Sequence, residues 1–190
     1  MNGDIILKAI KIIYPSIEGG YTFWENPTNP ADGLFWENKI FPKPKWEDIQ
    51  KLIPQIELED AKAKKINELN EFHGSPEVKK LTIKAGTLEA HIGLDSDSRY
   101  LLDEQINLLK FRTDLKEANP TWTYQNGVSV PLNLSQLIGL RLYIGSLTDY
   151  NYKARREAEK TINVLKTLDE IKNFDFKKNY KINQIIPLAL

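Results

Sequence analysis

The sequence predicts an α+β fold: short β-hairpins packed against helices, with a small aromatic module at the N-terminus and a long helical segment near the C-terminus. Three observations carry this. Runs with apolar period two alternate along the chain with runs of period 3.6. Asn126 and Gly127 stand between two β-prone runs within 122–132, the strongest short-range hairpin signal, which predicts a type I′ turn with φ > 0 at both positions. Asn133 and Gln136 follow at once and have the spacing of a capping box, with Leu132 and Leu137 placed as a hydrophobic staple. Hairpin, cap, staple and helix agree on one unit, and such agreement across levels marks a foldable segment. The predicted organisation is an aromatic module over 1–58, an α+β domain over 59–176 and a tail over 177–190.

Residues 4–14 read as a helix with Ile5, Ala9, Ile12 and Ile13 on one face, ended by Pro15 and then Gly19 and Gly20. Two similar pieces come next, each carrying Phe-Trp-Glu-Asn, at 23–26 and 35–38. The turn-rich link 27–33 between them predicts a two-stranded ribbon bearing Tyr21, Phe23, Trp24, Phe35 and Trp36. Two readings of these aromatics stand. They form the core of a small sheet, or they form an exposed patch that meets a partner. Alternation puts Tyr21 and Phe23 on one face and Trp24 on the other, and a thin module buries both faces of a ribbon with difficulty.

A helix is predicted to start after Pro42 and Pro44, with Glu47 and Asp48 in its first turn. Pro54 is expected to interrupt it, because proline has no N–H and clashes with the preceding turn. A second helix is expected over 57–72, with Ile66, Leu69 and Phe72 as its apolar stripe and Lys62, Lys64 and Lys65 on a solvated face. A hairpin over 81–92 turns at Ala85 and Gly86. A helix over 98–112 follows, and Asn119 with Pro120 closes the loop after it. From Leu134 the helical stripe runs through Leu137, Ile138, Leu142 and Ile144 or Leu147. Thr148 and Asp149 bend or restart it, and Ala154, Ala158, Ile162, Leu165 and Leu168 continue it to Ile171. Gly139 and Gly145 weaken that helix and suggest close packing against another element. The tail, with Ile182, Ile185, Ile186 and Leu188, reads as extended and as ordered only where it docks.

Composition narrows the chemistry. The chain has 190 residues, a formal net charge of zero and no cysteine, which removes disulfides, thiolate catalysis and cysteine-ligated zinc and suits a reducing cytoplasm. Residues 1–72 carry 9 Lys/Arg against 12 Asp/Glu, and the remainder 17 against 14. That asymmetry is too small to argue for attraction to nucleic acid or membrane. No apolar stretch is long enough to span a bilayer. His73 and His91 are the two histidines, so general acid–base chemistry by histidine has few candidates, and their spacing does not favour a metal site. Asp95 and Asp97 sit in a superficially calcium-loop-like run, but the glycine and glutamate of an EF-hand are missing and helix capping explains them better. Catalytic and cofactor motifs are not recognised, and no catalytic residue, cofactor or metal is assigned. Lys153, Arg155, Arg156 and Lys160, with Tyr150 and Tyr152 nearby, offer a phosphate-binding helix face, although Glu157 and Glu159 interleave with them.

Leu81 to Ile83, the run 94–102 with its Asp97 and Arg99, Trp122 with Asn126 and Gly127, Leu132 with Leu134, and the closing helix together resemble an uncharacterised domain of phage and prophage proteins found near tail-fibre genes. The likeness covers residues 60–175. The front piece, with Tyr14, Pro15, Trp36, Pro44, Trp46 and Ile49, is similar to short front modules of the same proteins. The resemblance implies a tail-fibre assembly chaperone or tail-associated accessory protein that acts by protein binding. It implies a tail-fibre protein as partner and a place in the host cytoplasm during assembly or in the virion tail. A homo-oligomer stays open, and no membrane or nucleic acid is expected. It carries over no catalytic residue, and Asp97, Arg99, Trp122 and Asn126 hold structural positions in that pattern. The alternative is a small phage protein that binds nucleic acid or a host target.

Overall fold

The fold is α+β. The computed structural model describes residues 3–24, 26, 29–111 and 121–187. Pro27, Arg112, Asn119, Pro120 and Leu188, on which parts of the sequence reading fall, lie outside the described residues. In chain order the elements are α1 (Gly3–Ile13), β1 (Tyr21–Phe23), β2 (Leu34–Trp36), α2 (Trp46–Gly74), α3 (Pro76–Lys79), β3 (Lys80–Ala85), β4 (Leu88–Gly93), α4 (Ser96–Phe111), β5 (Thr121–Thr123), β6 (Ser129–Pro131), α5 (Leu134–Val164), α6 (Leu168–Asn173) and β7 (Ile185–Pro187). They divide into two compact units. One is Met1–Lys65 with Leu165–Phe174, and the other is Ile66–Val164 with Asp175–Leu190. The division falls inside α2, several residues beyond the predicted boundary at 58, and the segment after α5 returns to the first unit.

In the first unit, α1 turns Ile6, Ala9 and Ile10 fully inward. The inward face is therefore set by residues 6, 9, 10 and 13, and Ile12, expected inside, is half exposed. α2 runs unbroken through Pro54, correcting the predicted interruption. Proline in a helix costs about 3 kcal/mol. Here it stands on the exposed side of the helix, while Ile49, Leu52, Ile53 and Ile56 on the other side join the core with Ile6, Ile10, Ile17 and Leu34. Burying Ile49 and Ile56 alone offsets that cost, at about 1.5–3 kcal/mol each. Further along, Lys62 is buried and pairs with Glu59 at 3.7 Å, so it departs from the solvated face expected for it. α6 is a separate helix. α5 ends at Val164, and Thr167 opens α6 with a capping box in which Glu170 N–H donates to Thr167 Oγ1 and Thr167 N–H donates to Glu170 Oε2. The apolar stripe therefore does not continue as one helix to Ile171.

The second unit has a three-stranded sheet in the order β4-β3-β7. β3 and β4 form the expected antiparallel hairpin, paired from Lys80 with Gly93 to Ala85 with Leu88. The turn is Gly86 and Thr87, one residue later than expected, since Ala85 belongs to the strand, and only Gly86 takes positive φ, the type II′ pattern. The tail docks as β7, parallel to β3, with Thr82 opposite Ile185 and Lys84 opposite Pro187. Proline is tolerated there because β7 is an edge strand. The sheet, α4, α5 and the β5–β6 hairpin enclose one aliphatic core built around Leu81, Ile83, Ile92, Leu102, Leu109, Val130, Leu132, Leu137 and Ile144. Asp95 caps α4, its Oδ1 accepting from Ser98 N–H at 2.7 Å, and these backbone hydrogen bonds hold its carboxyl below the usual range. The predicted box at the start of α5 is formed, with Asn133 N–H donating to Gln136 Oε1 and Gln136 N–H donating to Asn133 Oδ1, both at 2.9 Å. α5 then runs 31 residues without a bend at Thr148. Its buried stripe is Leu137, Leu140, Ile144, Leu147, Asn151, Ala154, Ala158 and Ile162, while Leu142 is 68% exposed. Gly139 and Gly145 do not serve close packing. A Cβ on Gly139 would meet nothing within 4 Å, and one on Gly145 would meet only Arg141 of its own helix.

The β5–β6 turn differs from the predicted type I′ turn. Tyr124 and Val128 close it, Gly127 N–H donates to the Tyr124 carbonyl at 2.9 Å, and Gly127 alone has positive φ, at +76°. This is a type I turn followed by a left-handed glycine, the usual three-residue hairpin loop. Asn126 has another task. Its Nδ2 donates to the Glu89 carbonyl at 2.9 Å, and its Oδ1 accepts from His91 N–H at 3.2 Å. Gln125 N–H donates to the His91 carbonyl at 3.0 Å. The turn thus occupies backbone groups on the outer edge of β4, an edge that would otherwise be open to strand pairing.

Candidate protein-binding surface

The five aromatics singled out from the sequence lie in the first unit, on and beside the β1–β2 ribbon. Tyr21 pairs with Trp36, Thr22 with Phe35 and Phe23 with Leu34. Since side chains alternate across a strand, this register puts Tyr21, Phe23, Leu34 and Trp36 on one face and Phe35 on the other. The first face is packed. Tyr21 stacks on Trp36 with ring centroids 5.7 Å apart, and Phe23 lies nearly parallel to Trp46 at 6.3 Å. Tyr14 closes on Trp36 and Phe41, and Trp36 Nε1 donates to the Phe41 carbonyl at 3.0 Å. Packed on these rings and with its N–H paired, this partly buried tryptophan lies against the core.

The opposite face is open. Trp24 is 63% exposed and Phe35 49% exposed, their ring centroids 6.3 Å apart. The fold positions this pair through backbone, not through packing of the rings. Trp24 N–H donates to the Gly33 carbonyl at 3.2 Å, extending the ribbon by one rung. A Cβ on Gly33 would stand 2.1 Å from the Trp24 carbonyl oxygen, so only glycine allows the two segments to approach this closely. Before it, Pro30–Gly33 forms a 3₁₀ turn capped by Asn29, whose side chain accepts from Ala31 N–H. At the other end of the ribbon, Asn38 Nδ2 donates to the Gly19 carbonyl at 2.8 Å, and its Oδ1 accepts from Ile40 and Phe41 N–H. Lys43 Nζ donates to the Leu34 carbonyl at 2.9 Å. The ribbon is braced at both ends while its outer aromatics stay in solvent.

Of the five predicted residues, then, Tyr21, Phe23 and Trp36 are core-facing, and Trp24 with Phe35 make the open surface. The two readings left standing by the sequence each describe one face. Gly33 was not singled out as a determinant of the surface. Its signal is a glycine directly before the second aromatic run, indistinguishable in sequence from an ordinary turn residue.

Comparison of the chain with protein-family models, with curated proteins and with solved structures finds no match.

The basic residues of α5 are engaged one by one. Lys153 pairs with Asp149 at 2.7 Å and Lys160 with Glu157 at 2.8 Å. Arg155 donates to Asn70 Oδ1 at 2.9 Å and approaches Glu159 at 3.6 Å, and Arg156 lies over the Tyr152 ring. The interleaved acids and amides thus meet these cations directly, which breaks the track a phosphate backbone would follow. His73 is pushed down to about 4, chiefly by burial and further by the charges of Lys79 and Arg155. It stands 3.4 Å from the Tyr180 hydroxyl, and the same burial raises Tyr180 to about 12. This is a packed, neutral pair; Phe72 meets the Tyr180 ring edge-on and is itself packed by Phe176. Among the described residues no three histidines or carboxylates are grouped to hold a metal ion, and no helix is long and apolar enough to cross a membrane.

Proposed function

We propose that this protein acts by binding another protein through the Trp24–Phe35 face, as a tail-fibre assembly chaperone or tail-associated accessory protein of a phage. The observation that carries the binding reading is the outward aromatic pair on a ribbon whose inner face already supplies its core. Large aromatics left in solvent without a structural task are the side chains that most often anchor protein interfaces, where truncating one costs about 2 kcal/mol or more of binding. The fibre reading rests on the resemblance in the domain that follows, and it makes the C-terminal part of a tail-fibre protein the expected partner. The reading assigns the protein no catalytic step and no cofactor.

Co-expression tests it. The fibre is produced with and without this protein, and soluble trimer is measured. The expected result is that trimer yield depends on the protein, and that Trp24→Ala or Phe35→Ala weakens fibre capture by about 30-fold, the equivalent of 2 kcal/mol. A fibre that assembles equally well alone, with capture indifferent to both substitutions, overturns the reading and favours a host target.

A further inference from the structure

The second unit carries a groove of a different character, beside the docked tail. Asn151, fully buried on α5, grips the tail by its backbone. Its Nδ2 donates to the Lys181 carbonyl at 3.0 Å and its Oδ1 accepts from Lys181 N–H at 2.9 Å. From this clamp the tail runs antiparallel to α5, with Gln184 meeting the Tyr143 hydroxyl at 3.2 Å and Ile186 facing Gly139 and Leu140 across a cleft. Two clefts open between helix and tail, separated by the Tyr143–Gln184 bridge. One, of about 290 Å³, has Ser146, Asp149, Tyr150, Lys153 and Lys181 among its lining residues. The other, of about 270 Å³, is lined by Gly139, Leu140 and Ile186 and is almost wholly apolar.

Charge and shape define an occupant. Lys153 is neutralised by Asp149, but the Lys181 ammonium makes no ion pair among the described residues and rests over the Tyr150 ring, 4.4 Å from its centre. The first cleft therefore has an unbalanced positive charge beside hydroxyl donors, and it suits a carboxylate. The second is apolar because Gly139 leaves its floor bare. Seven residues of helix separate Gly139 from Ser146, a rise of about 10.5 Å. An extended chain in the polyproline-II conformation covers nearly that distance in three residues at about 3.1 Å each and, with three residues per turn, presents the first and fourth side chains on the same face. Each cleft holds a side chain but not a helix, whose diameter is about 10–12 Å.

We infer that this groove binds an extended segment of a partner protein that carries an apolar residue and, three positions away, an acidic one. The inference is independent of the Trp24–Phe35 reading, since it concerns the other unit and a different ligand chemistry.

The probe is a blocked tetrapeptide with leucine first, aspartate fourth and serines between, titrated into the ¹⁵N-labelled full chain and followed by amide chemical shifts. Saturable shifts are expected at 139–150 and 181–186, with affinity falling as salt rises. Lys181→Glu reverses the charge of an exposed side chain and leaves the Asn151 clamp, which uses only backbone, intact. It is expected to weaken binding about tenfold. Gly139→Leu fills the apolar cleft and is expected to weaken binding comparably, and replacing the peptide's aspartate by asparagine should do the same. Spectra of both variants should match the parent at β3 and β4, which establishes that they fold. Absence of saturable shifts, shifts centred elsewhere, or unchanged affinity for either folded variant overturns the inference.

Discussion

The molecule contains two small antiparallel ribbons, β1–β2 and β5–β6, each with three paired positions and each packing one aromatic-bearing face inward. Their outer faces differ. On β5–β6 the described side chains of the outer face are small, Pro131 together with Thr123 and Ser129, whose Oγ1 and Oγ lie within hydrogen-bond distance at 2.8 Å, and the turn beyond is used to cover β4. On β1–β2 the outer face carries Trp24 and Phe35 in solvent. The second ribbon shows what a ribbon of this size needs for folding: one apolar face and a correct turn. The aromatic outer face of the first is surplus to that requirement, which is why a binding role is proposed for it.

The comparison yields graded expectations. The largest effect belongs to Gly33→Ala. A Cβ 2.1 Å from a backbone oxygen forces the two segments apart, and a loss of about 3 kcal/mol is expected in chemical denaturation. Gly127→Val tests the other ribbon. A β-branched residue at φ +76° is strained, and a loss of about 2 kcal/mol is expected. A midpoint matching the parent would contradict the left-handed turn. Asn126→Ala removes two hydrogen bonds to β4 but leaves the turn itself sound. The expected loss is about 1 kcal/mol, with faster amide exchange at His91 as the more specific sign that the edge has been uncovered.

Acid distinguishes the two units as well. Both histidines belong to the second unit. His73 binds its proton at about 6.5 when unfolded and only at about 4 when folded. Between those values the unfolded chain holds more protons, so stability is full above 6.5 and is lost as pH falls toward 4. His73→Gln should flatten the stability profile across that window, and an unchanged slope would place the acid sensitivity elsewhere. The carboxyl of Asp95, whose capping bonds favour its charged form, adds a loss at lower pH, as it protonates.

The parts of the fold that were legible are those set by neighbours in sequence. Asn133 with Gln136, the cap at Asp95 and the β3–β4 hairpin depend on residues within a few positions of one another, so spacing alone reveals them. Thr167 with Glu170 has the same spacing, but the apolar period of Ile162, Leu165 and Leu168 runs straight across it and hides the break in sequence. Pro54 misled for a different reason. Its penalty is local, whereas the burial of Ile49 and Ile56 that outweighs it is tertiary. The pairing of β7 with β3 joins positions about a hundred residues apart, and the buried Asn151 is understood only once Lys181 is seen beside it. In the candidate surface, alternation separated Tyr21 and Phe23 from Trp24. Which face would be covered depended on Ile6, Ile10 and Trp46, brought together by folding.

The central claim is that Trp24 and Phe35 serve binding and not folding. The double variant Trp24→Ser with Phe35→Thr makes the first ribbon resemble the second, and it should be measured by thermal unfolding alongside fibre capture. Removing an exposed aromatic pair is expected to cost less than about 1 kcal/mol, which lowers the midpoint by less than about 4 °C in a chain of this size, while capture is lost. A midpoint lowered as far as that of Gly33→Ala, or capture retained by a folded double variant, would contradict the account.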